Sequence, residues 1–227
     1  MNLPGAILPR TPRTDNERRP PVIRGLKKMG VMNWIRGVFG LRGDGSDAMP
    51  SAREMRRLID RQEICDCIFS YSRAIDRADR ALFESVFHPG ATEDLGRYNG
   101  PALGFIDFAL ELVLTRTNST HHLVGNVMIE FLDDDLARVE SYCNTHHRHQ
   151  TVKGVVLNRM MTGRFIDRFE RRNGKWAIAH RKLLIDQYVE LPVETVDETT
   201  LQLITRGRRD REDGLYQTDM SRTTTPP

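Results

Sequence analysis

Long apolar runs are missing from this 227-residue chain. A membrane-spanning helix needs about 18 or more consecutive apolar residues, so none is expected. Cysteine is scarce and odd in number, with only Cys65, Cys67 and Cys143. In a helix the side chains of Cys65 and Cys67 point about 200° apart, which excludes a disulfide or redox pair between them. Reduced thiols and a cytoplasmic location are the simplest interpretation.

The short motifs of nucleotide- and cofactor-dependent enzymes are also missing. The sequence contains no phosphate-binding glycine loop, no G-x-S-x-G elbow and no dinucleotide fingerprint. His147 and His149 would share one face of a strand, but no Cys or carboxylate at suitable local spacing completes a metal site. We therefore expect neither a metal nor an organic cofactor.

Charge is small in sum and uneven along the chain. The net charge is +3, but residues 1–47 hold nine Lys or Arg against four acidic residues, which makes this segment +5 and the remainder −2. A mildly acidic body does not favour nucleic-acid binding. A hydrophobic content of 39% with 29% charged residues is typical of a globular domain.

Composition divides the chain into three segments. Residues 1–48 are a basic, Pro- and Arg-rich leader, expected to be disordered. Within it, residues 22–41 could instead form a basic amphipathic helix on an anionic membrane surface, or the leader could be an over-extended gene start. Residues 49–192 are the predicted folded domain, and residues 193–227 are a predicted flexible tail.

Periodicity within the domain changes from helical to extended near Thr120. A Ser51–Glu54 capping box opens the first helix. Three helices are predicted, over 52–76, 80–87 and 101–115. One short strand and four long strands are predicted, over 91–98, 122–132, 137–150, 155–170 and 175–189. Asn173 and Gly174 give a strong hairpin signal between the last two strands. Helices followed by an antiparallel sheet predict an α+β fold.

Asp76 is the most informative side chain. Apolar or small residues recur at helical spacing in the first helix and predict its buried stripe, at Met55, Leu58, Ile59, Cys65, Ile68, Phe69, Ser72 and Ile75. Asp76 continues this stripe, where a carboxylate needs a partner and where burial would raise its pKa toward that of a proton-transfer base. The alternative is an exposed Asp at the helix end. Asp79 is the better cap for the next helix.

Six segments, in their order and spacing, resemble SnoaL-like members of the NTF2-like superfamily. They are YSRAIDRAD (71–79), VFHPGA (86–91), YNG (98–100), HHLVGN (121–126), GRFIDRFE (163–170) and GKWAIAHR (174–181). The similarity covers about residues 52–190 and is to scytalone dehydratase-like and bile-acid 7α-dehydratase-like proteins. It implies a cone-shaped fold, with N-terminal helices packed in a strongly curved, mainly antiparallel sheet that encloses a pocket.

The resemblance also implies a catalytic pair. Dehydratase-like members use an Asp at the end of the first helix and a His on a long strand for proton transfer, and Asp76 and His122 stand at those positions. Tyr71 matches a Tyr five residues before the Asp in the bile-acid enzyme and could donate a hydrogen bond to a leaving hydroxyl or oxyanion. Thr145 stands where that enzyme has an Asp, so its full catalytic set is not reproduced.

Four further residues are predicted substrate contacts. Residues 137–149 alternate between a small or apolar face and a polar face, and the first face is assigned to the pocket, which places Thr145 and His147 there. Asp186 and Tyr188 are predicted to close the pocket mouth, with an edge-strand ending as the alternative. Because His121 and His122 are adjacent on a strand, one of the two rings must point away from the pocket.

The resemblance, taken with these residues, implies a cofactor-independent lyase or isomerase, of dehydratase type, acting on a hydrophobic polycyclic or steroid- or terpenoid-like small molecule. Two alternatives share the fold: a non-catalytic small-molecule-binding module, and an accessory subunit of the ring-hydroxylating dioxygenase β type. Polar groups that converge in an apolar pocket would favour the catalyst. A homo-oligomer, either a dimer or a trimer, is expected because one face of the sheet remains available.

Overall fold

The computed structural model describes residues 49–150, 153–193, 199 and 202–218. The helices are α1 (Ala52–Arg77), α2 (Arg80–Ser85), α3 (Ala102–Arg116) and α4 (Gly214–Gln217). The strands are β1 (Phe87–Asp94), β2 (Asn99–Pro101), β3 (Thr117–Phe131), β4 (Leu136–Gln150), β5 (Val156–Arg172) and β6 (Lys175–Pro192). All of them lie in one compact unit, Pro50–Pro227. The predictions for residues 1–48, including the helix at 22–41, fall outside the described residues.

The six strands form one mixed, curved and unclosed sheet in the order β2-β1-β6-β5-β4-β3. Every pair is antiparallel except β1 with β6, which run parallel. Asn173 and Gly174 turn β5 into β6, and both have positive φ, as a tight hairpin turn requires. The predicted α+β cone is therefore confirmed.

Cross-strand register defines an inner face of the sheet, because paired residues in antiparallel strands share a face. Two neighbouring rows on this face are the His122 row (His122, Thr145, Met161, Tyr188) and the His147 row (Thr120, His147, Arg159, Glu190). The predicted orientation of β4 is confirmed, because Ser141, Cys143 and Thr145 are buried while Tyr142 and Asn144 are exposed.

The buried stripe of α1 differs from the predicted stripe. Met55, Leu58, Ile59 and Phe69 are between 44% and 57% exposed. The buried residues are Asp60, Ile64, Cys67, Ile68, Tyr71, Ser72, Ala74 and Ile75. The buried face begins at a charged residue, Asp60. A prediction that counts only apolar positions does not include it. Asp60 is tolerated there because Arg171 and Trp176, from strands β5 and β6, and Arg56 of the same helix bind its carboxylate.

Several element boundaries also differ from prediction. Helix α2 ends at Ser85, and the strand expected at 91–98 begins at Phe87, because β1 pairs with β6 from that residue onward. Strand β3 begins at Thr117, directly after α3, and pairs with β4 as far as His149. His122 therefore lies within a strand and not at its start.

The core lies between the inner face and the helices α1, α2 and α3. An aromatic group that includes Tyr71, Phe83, Phe87 and Phe165 packs at its centre, with ring centroids 5.0–6.1 Å apart for the contacting pairs. No helix in the described part of the chain has the length and apolar character of a membrane span. This core holds the end of α1 against β3, which is where the candidate site lies.

Candidate active site

Asp76 and His122 meet through two hydrogen bonds. His122 Nδ1 donates to Asp76 Oδ1 at 2.7 Å, and the His122 backbone N–H donates to Oδ2 at 2.8 Å. Their side chains are only 14% and 6% exposed. An ionised carboxylate can only accept hydrogen bonds, so the imidazole proton lies on Nδ1 and the Nε2 lone pair of a neutral ring is available to take a proton.

Local chain geometry places both residues. Asp76 is the penultimate residue of α1, and the helix is capped by Ala78, which has the left-handed conformation with φ 52°. Asp79 caps α2 by accepting from the Leu82 N–H at 3.0 Å, as predicted, which leaves Asp76 for another role. On β3 the exposed His121 points away from the inner face, so His122 is the histidine that faces Asp76.

The expected rise in the Asp76 pKa is wrong. Burial does raise it, but hydrogen bonds from His122, the charge of His122 and the Thr120 hydroxyl outweigh burial and hold the pKa below its ordinary value of 3.8. Asp76 is therefore a carboxylate at neutral pH, suited to orienting His122 and stabilising its cation. The ring nitrogen of His122 that does not face Asp76 is Nε2.

His147 lies beside His122 on the inner face, with ring centroids 5.1 Å apart. Burial, reinforced by the charge of His122, lowers the pKa of His147 to about 4, so the ring is neutral at pH 7. Its Nε2 is buried and has no hydrogen-bond partner among the described residues, and the same is true of Thr145 Oγ1 and Ser141 Oγ. Unpaired buried polar atoms are uncommon in folded proteins, so these three make β4 a candidate for ligand contact.

Tyr71 does not contact Asp76 or His122 through any described hydrogen bond or ring contact. Its hydroxyl donates to Glu93 Oε1 at 3.2 Å. Burial raises the pKa of Glu93 to about 8, against the opposing charge of Arg181 and the Tyr71 hydrogen bond, so Glu93 is mainly protonated at pH 7. The structure thus places Tyr71 in a second buried polar group.

Arg181 is the cation of that group. Its Nε and Nη2 donate to the two carboxylate oxygens of Asp167 at 2.8 and 2.7 Å, and its guanidinium lies 4.0 and 4.1 Å from the ring centroids of Tyr71 and Phe165. Sequence reasoning missed Glu93, Asp167 and Arg181. Their opposite charges stand in one cross-strand row, which only the strand register reveals.

Asp186 and Tyr188 lie on opposite faces of β6. The ladder pairs Gly163 with Ile185 but Thr162 with Gln187, so Asp186 is an extra, bulged residue. Asp186 lies 3.6 Å from Arg164, which also bonds Glu140 on the outer face. The half-exposed Tyr188 stays on the inner face in the His122 row, and its hydroxyl donates to Glu190 Oε1 at 2.5 Å.

A groove of about 370 Å³ lies elsewhere in the fold. Its lining is Glu63, Asp66, Cys67, Ser70, Ser85, Val86, Gly174, Lys175 and Trp176. None of the predicted site residues belongs to it, so it does not locate the site. Across the described residues, no group of three or more His, Cys, Asp or Glu is arranged to hold a metal ion.

Comparisons with known proteins give a family and a fold. The family sequence model described as "SnoaL-like domain" matches residues 56–182. No curated protein sequence matches. Similar solved structures include a hexachlorocyclohexane dehydrochlorinase, LinA type 2, with TM-score 0.56 and 17% identity over 63% of this chain and 94% of the other.

Two further structures come from Novosphingobium species. One is a provisionally assigned scytalone dehydratase of N. aromaticivorans, with TM-score 0.54 and 19% identity over 63% of this chain and 94% of the other. The other is LinA type 3 of N. barchaimii, with TM-score 0.54 and 19% identity over 60% and 93%. Similarity at this level of identity establishes a shared fold.

Proposed function

Because the chain belongs to the SnoaL-like family, we propose that it is a cofactor-independent lyase or isomerase of dehydratase type. The observation that carries the proposal is the double hydrogen bond between Asp76 and His122. It orients the imidazole, sets its tautomer and leaves Nε2 as a base in a mostly buried site. A module that only binds ligands has no need of this arrangement.

The proton-transfer step uses His122 and Asp76. His122 Nε2 takes a proton from a carbon next to a carbonyl or to the carbon that bears the leaving group. The C–H electron pair forms a new C=C bond, and in elimination the leaving hydroxyl departs with a proton as water. In isomerisation the same proton returns to another carbon. Asp76 stabilises the imidazolium in either case.

Leaving-group assistance is assigned to Tyr71. Glu93 is mainly protonated at pH 7, so its carboxylic acid can donate a hydrogen bond to the Tyr71 oxygen. The Tyr71 O–H is then available to donate a hydrogen bond to a substrate oxygen. His147 and Thr145 would orient the substrate, since each has a buried polar atom without a partner in the described structure.

The inner face favours a hydrophobic substrate with few polar groups. Val124, Cys143 and Met161 lie beside His122 and Thr145, so apolar surface adjoins these polar groups, and the Arg159–Glu190 ion pair lies in the neighbouring His147 row. Members of the superfamily bind small hydrophobic ligands. We propose a polycyclic, steroid- or terpenoid-like alcohol or ketone, with the half-exposed Tyr188 at the pocket mouth.

The test begins with a ligand screen. Hydrophobic alcohols and ketones are scored by the rise they cause in melting temperature, and each hit is then assayed for formation of a conjugated C=C bond by absorbance. We expect His122→Ala to lower kcat by about 10²–10⁴-fold while ligand affinity changes only a few-fold.

His121→Ala is the matched control, because His121 is adjacent in sequence but exposed on the other face. It should retain wild-type turnover. Turnover that survives in His122→Ala would remove the pair from the mechanism. Hits that bind but are never converted would favour a binding module, and a co-purifying, metal-bearing larger partner would favour an accessory subunit.

A further inference from the structure

The C-terminal segment, residues 202–218, extends beyond the matched family region and returns to the candidate site. We propose that Arg209 in this segment is a positioning residue. It fixes the end of α1 against β3 and thereby keeps Asp76 and His122 at hydrogen-bond distance. The inference rests on the proposed function, since it concerns the same pair, but its test does not require a known substrate.

Arg209 joins three elements through one side chain. Its Nε donates to the Asp76 carbonyl at 3.2 Å, and its Nη1 donates to the carbonyls of Val113 and Thr117 at 2.9 and 3.1 Å. Its Nη2 donates to the hydroxyls of Thr117 and Thr120, both at 3.3 Å. These acceptors belong to the end of α1, the end of α3 and the first residues of β3.

The chemistry of these acceptors suits a guanidinium. The last carbonyls of a helix have no partner within the helix and carry partial negative charge, so a cation placed there is stabilised. Arg offers a planar array of five donors, whereas Lys offers a single charged nitrogen. Arg209 is also partly buried, which limits the competition of water for these contacts.

Two of the contacts lead directly to the catalytic pair. One is with the backbone of Asp76 itself. Another is with Thr120, which lies two residues before His122 on the inner face. The Thr120 hydroxyl also helps to lower the pKa of the Asp76 carboxylate through a side-chain hydrogen bond. Arg209 does not face a substrate through these contacts, so it acts through Asp76.

The segment is fastened on both sides of Arg209. Arg77 donates to the Arg208 carbonyl at 3.3 Å, and the buried Asp213 accepts from the Arg208 N–H at 2.6 Å and from the Leu215 N–H at 3.0 Å. Arg77 also lies 4.0 Å from the Asp213 carboxylate. These bonds set the path of the chain, so Arg209 projects onto the site from a fixed loop.

The test measures the His122 Nδ1–H proton by NMR in the full chain. A proton held between Nδ1 and the Asp76 carboxylate exchanges slowly with water and gives a downfield resonance, which Asp76→Asn identifies by removing it. We expect Arg209→Ala to speed this exchange by about tenfold or more, because the carboxylate is no longer fixed. With any convertible ligand, kcat should fall by about tenfold or more while KM stays within about twofold.

Arg208→Ala is the matched control, since the exposed Arg208 side chain bonds only Asp210 within the described structure. It should leave the resonance unchanged. Arg209→Lys keeps the charge but not the array of donors, and should give an intermediate exchange rate, which also covers the case in which Arg209→Ala fails to fold. Wild-type exchange in either Arg209 variant, or equal loss in Arg208→Ala, overturns the proposal.

The same spectra separate this proposal from the function. Absence of the resonance in the wild-type protein overturns both, because the pair is then not formed. A resonance that depends on Arg209 in a protein that converts no compound supports the positioning role while rejecting the lyase.

Discussion

At the scale of single residues, two largely buried carboxyl groups, those of Asp76 and Glu93, have pKa values shifted in opposite directions. Asp76 accepts two hydrogen bonds from His122 and has a lowered pKa, whereas Glu93 receives one long hydrogen bond from Tyr71 and has a pKa raised to about 8. The balance between lost hydration and gained hydrogen bonds decides each case. One residue is therefore an orienting anion, and the other is a neutral acid at pH 7.

The raised pKa of Glu93 makes stability depend on pH. A folded-state pKa above the ordinary value of 4.5 means that the fold prefers the protonated acid. The contribution of protonated Glu93 to the free energy of unfolding is fully present below pH 4.5 and is lost as pH rises through about 8. Glu93→Gln should therefore flatten the fall in melting temperature between pH 5 and pH 8, measured by calorimetry.

Glu84→Gln, at an exposed position on α2, is the control and should leave the wild-type pH profile unchanged. A Glu93→Gln profile parallel to that of the wild type would show that Glu93 already ionises near its ordinary pKa in the folded protein.

At the scale of elements, α1 shows how a charged residue can anchor a buried face. Asp60 is 1% exposed and accepts from Trp176 Nε1 at 2.9 Å and from Arg171 Nη1 at 3.2 Å, while Arg56 Nε lies 2.9 Å from the same carboxylate oxygen. One carboxylate thus connects α1 to the β5–β6 hairpin. Its removal leaves an indole N–H and a guanidinium without their acceptor.

We expect Asp60→Ala to lower the free energy of unfolding by about 3 kcal/mol, because the change breaks a buried ion pair on one side only. Chemical denaturation followed by tryptophan fluorescence measures this, since Trp176 reports on the same contact. Asp66→Ala, on the exposed side of α1, should cost far less. Equal losses in the two variants would contradict an anchoring role for Asp60.

Local sequence patterns predict helices, strands and turns well, but they do not predict irregularities within a strand such as a β-bulge. Capping residues, the Asn-Gly turn and alternation along β4 are signals within a few residues, and the structure confirms each of them. The bulge at Asp186 is different, because it arises where Gly163 lets β6 approach. A Cβ on Gly163 would lie 2.2 Å from the Leu184 carbonyl oxygen. Simple alternation would put Asp186 and Tyr188 on one face, as the prediction that both close the pocket mouth requires, but the bulge places them on opposite faces.

At the scale of the whole molecule, the outer face of the sheet carries exposed apolar side chains. Leu123, Tyr142, Val189 and Leu191 are between 42% and 61% exposed on strands β3, β4 and β6. Such a surface on a curved sheet fits a second copy of the same chain, because apolar patches of this kind are typical of subunit contacts. The homo-oligomer remains a prediction, and a dimer is its simplest form.

Tyr142→Glu should weaken self-association by at least about tenfold in Kd, measured by analytical ultracentrifugation, because a charge would be buried at the contact. Leu58→Glu is the control, since Leu58 is 57% exposed on α1, away from the sheet. A wild-type protein that stays monomeric at high concentration, or dissociation caused by Leu58→Glu, would contradict this assignment of the interface.

The sequence by itself determined the order of helices and strands and the α+β class, because these depend on periodicity and spacing along the chain. Its resemblance to SnoaL-like proteins, rather than periodicity, implied that Asp76 and His122 form a pair. The tertiary structure alone decided the protonation states of Asp76 and Glu93 and the charged row of Glu93, Asp167 and Arg181. It also decided the contact of Arg209 with Asp76, 133 residues earlier in the chain. Hydration, strand register and long-range hydrogen bonds depend on which segments meet in space, and no local pattern records that.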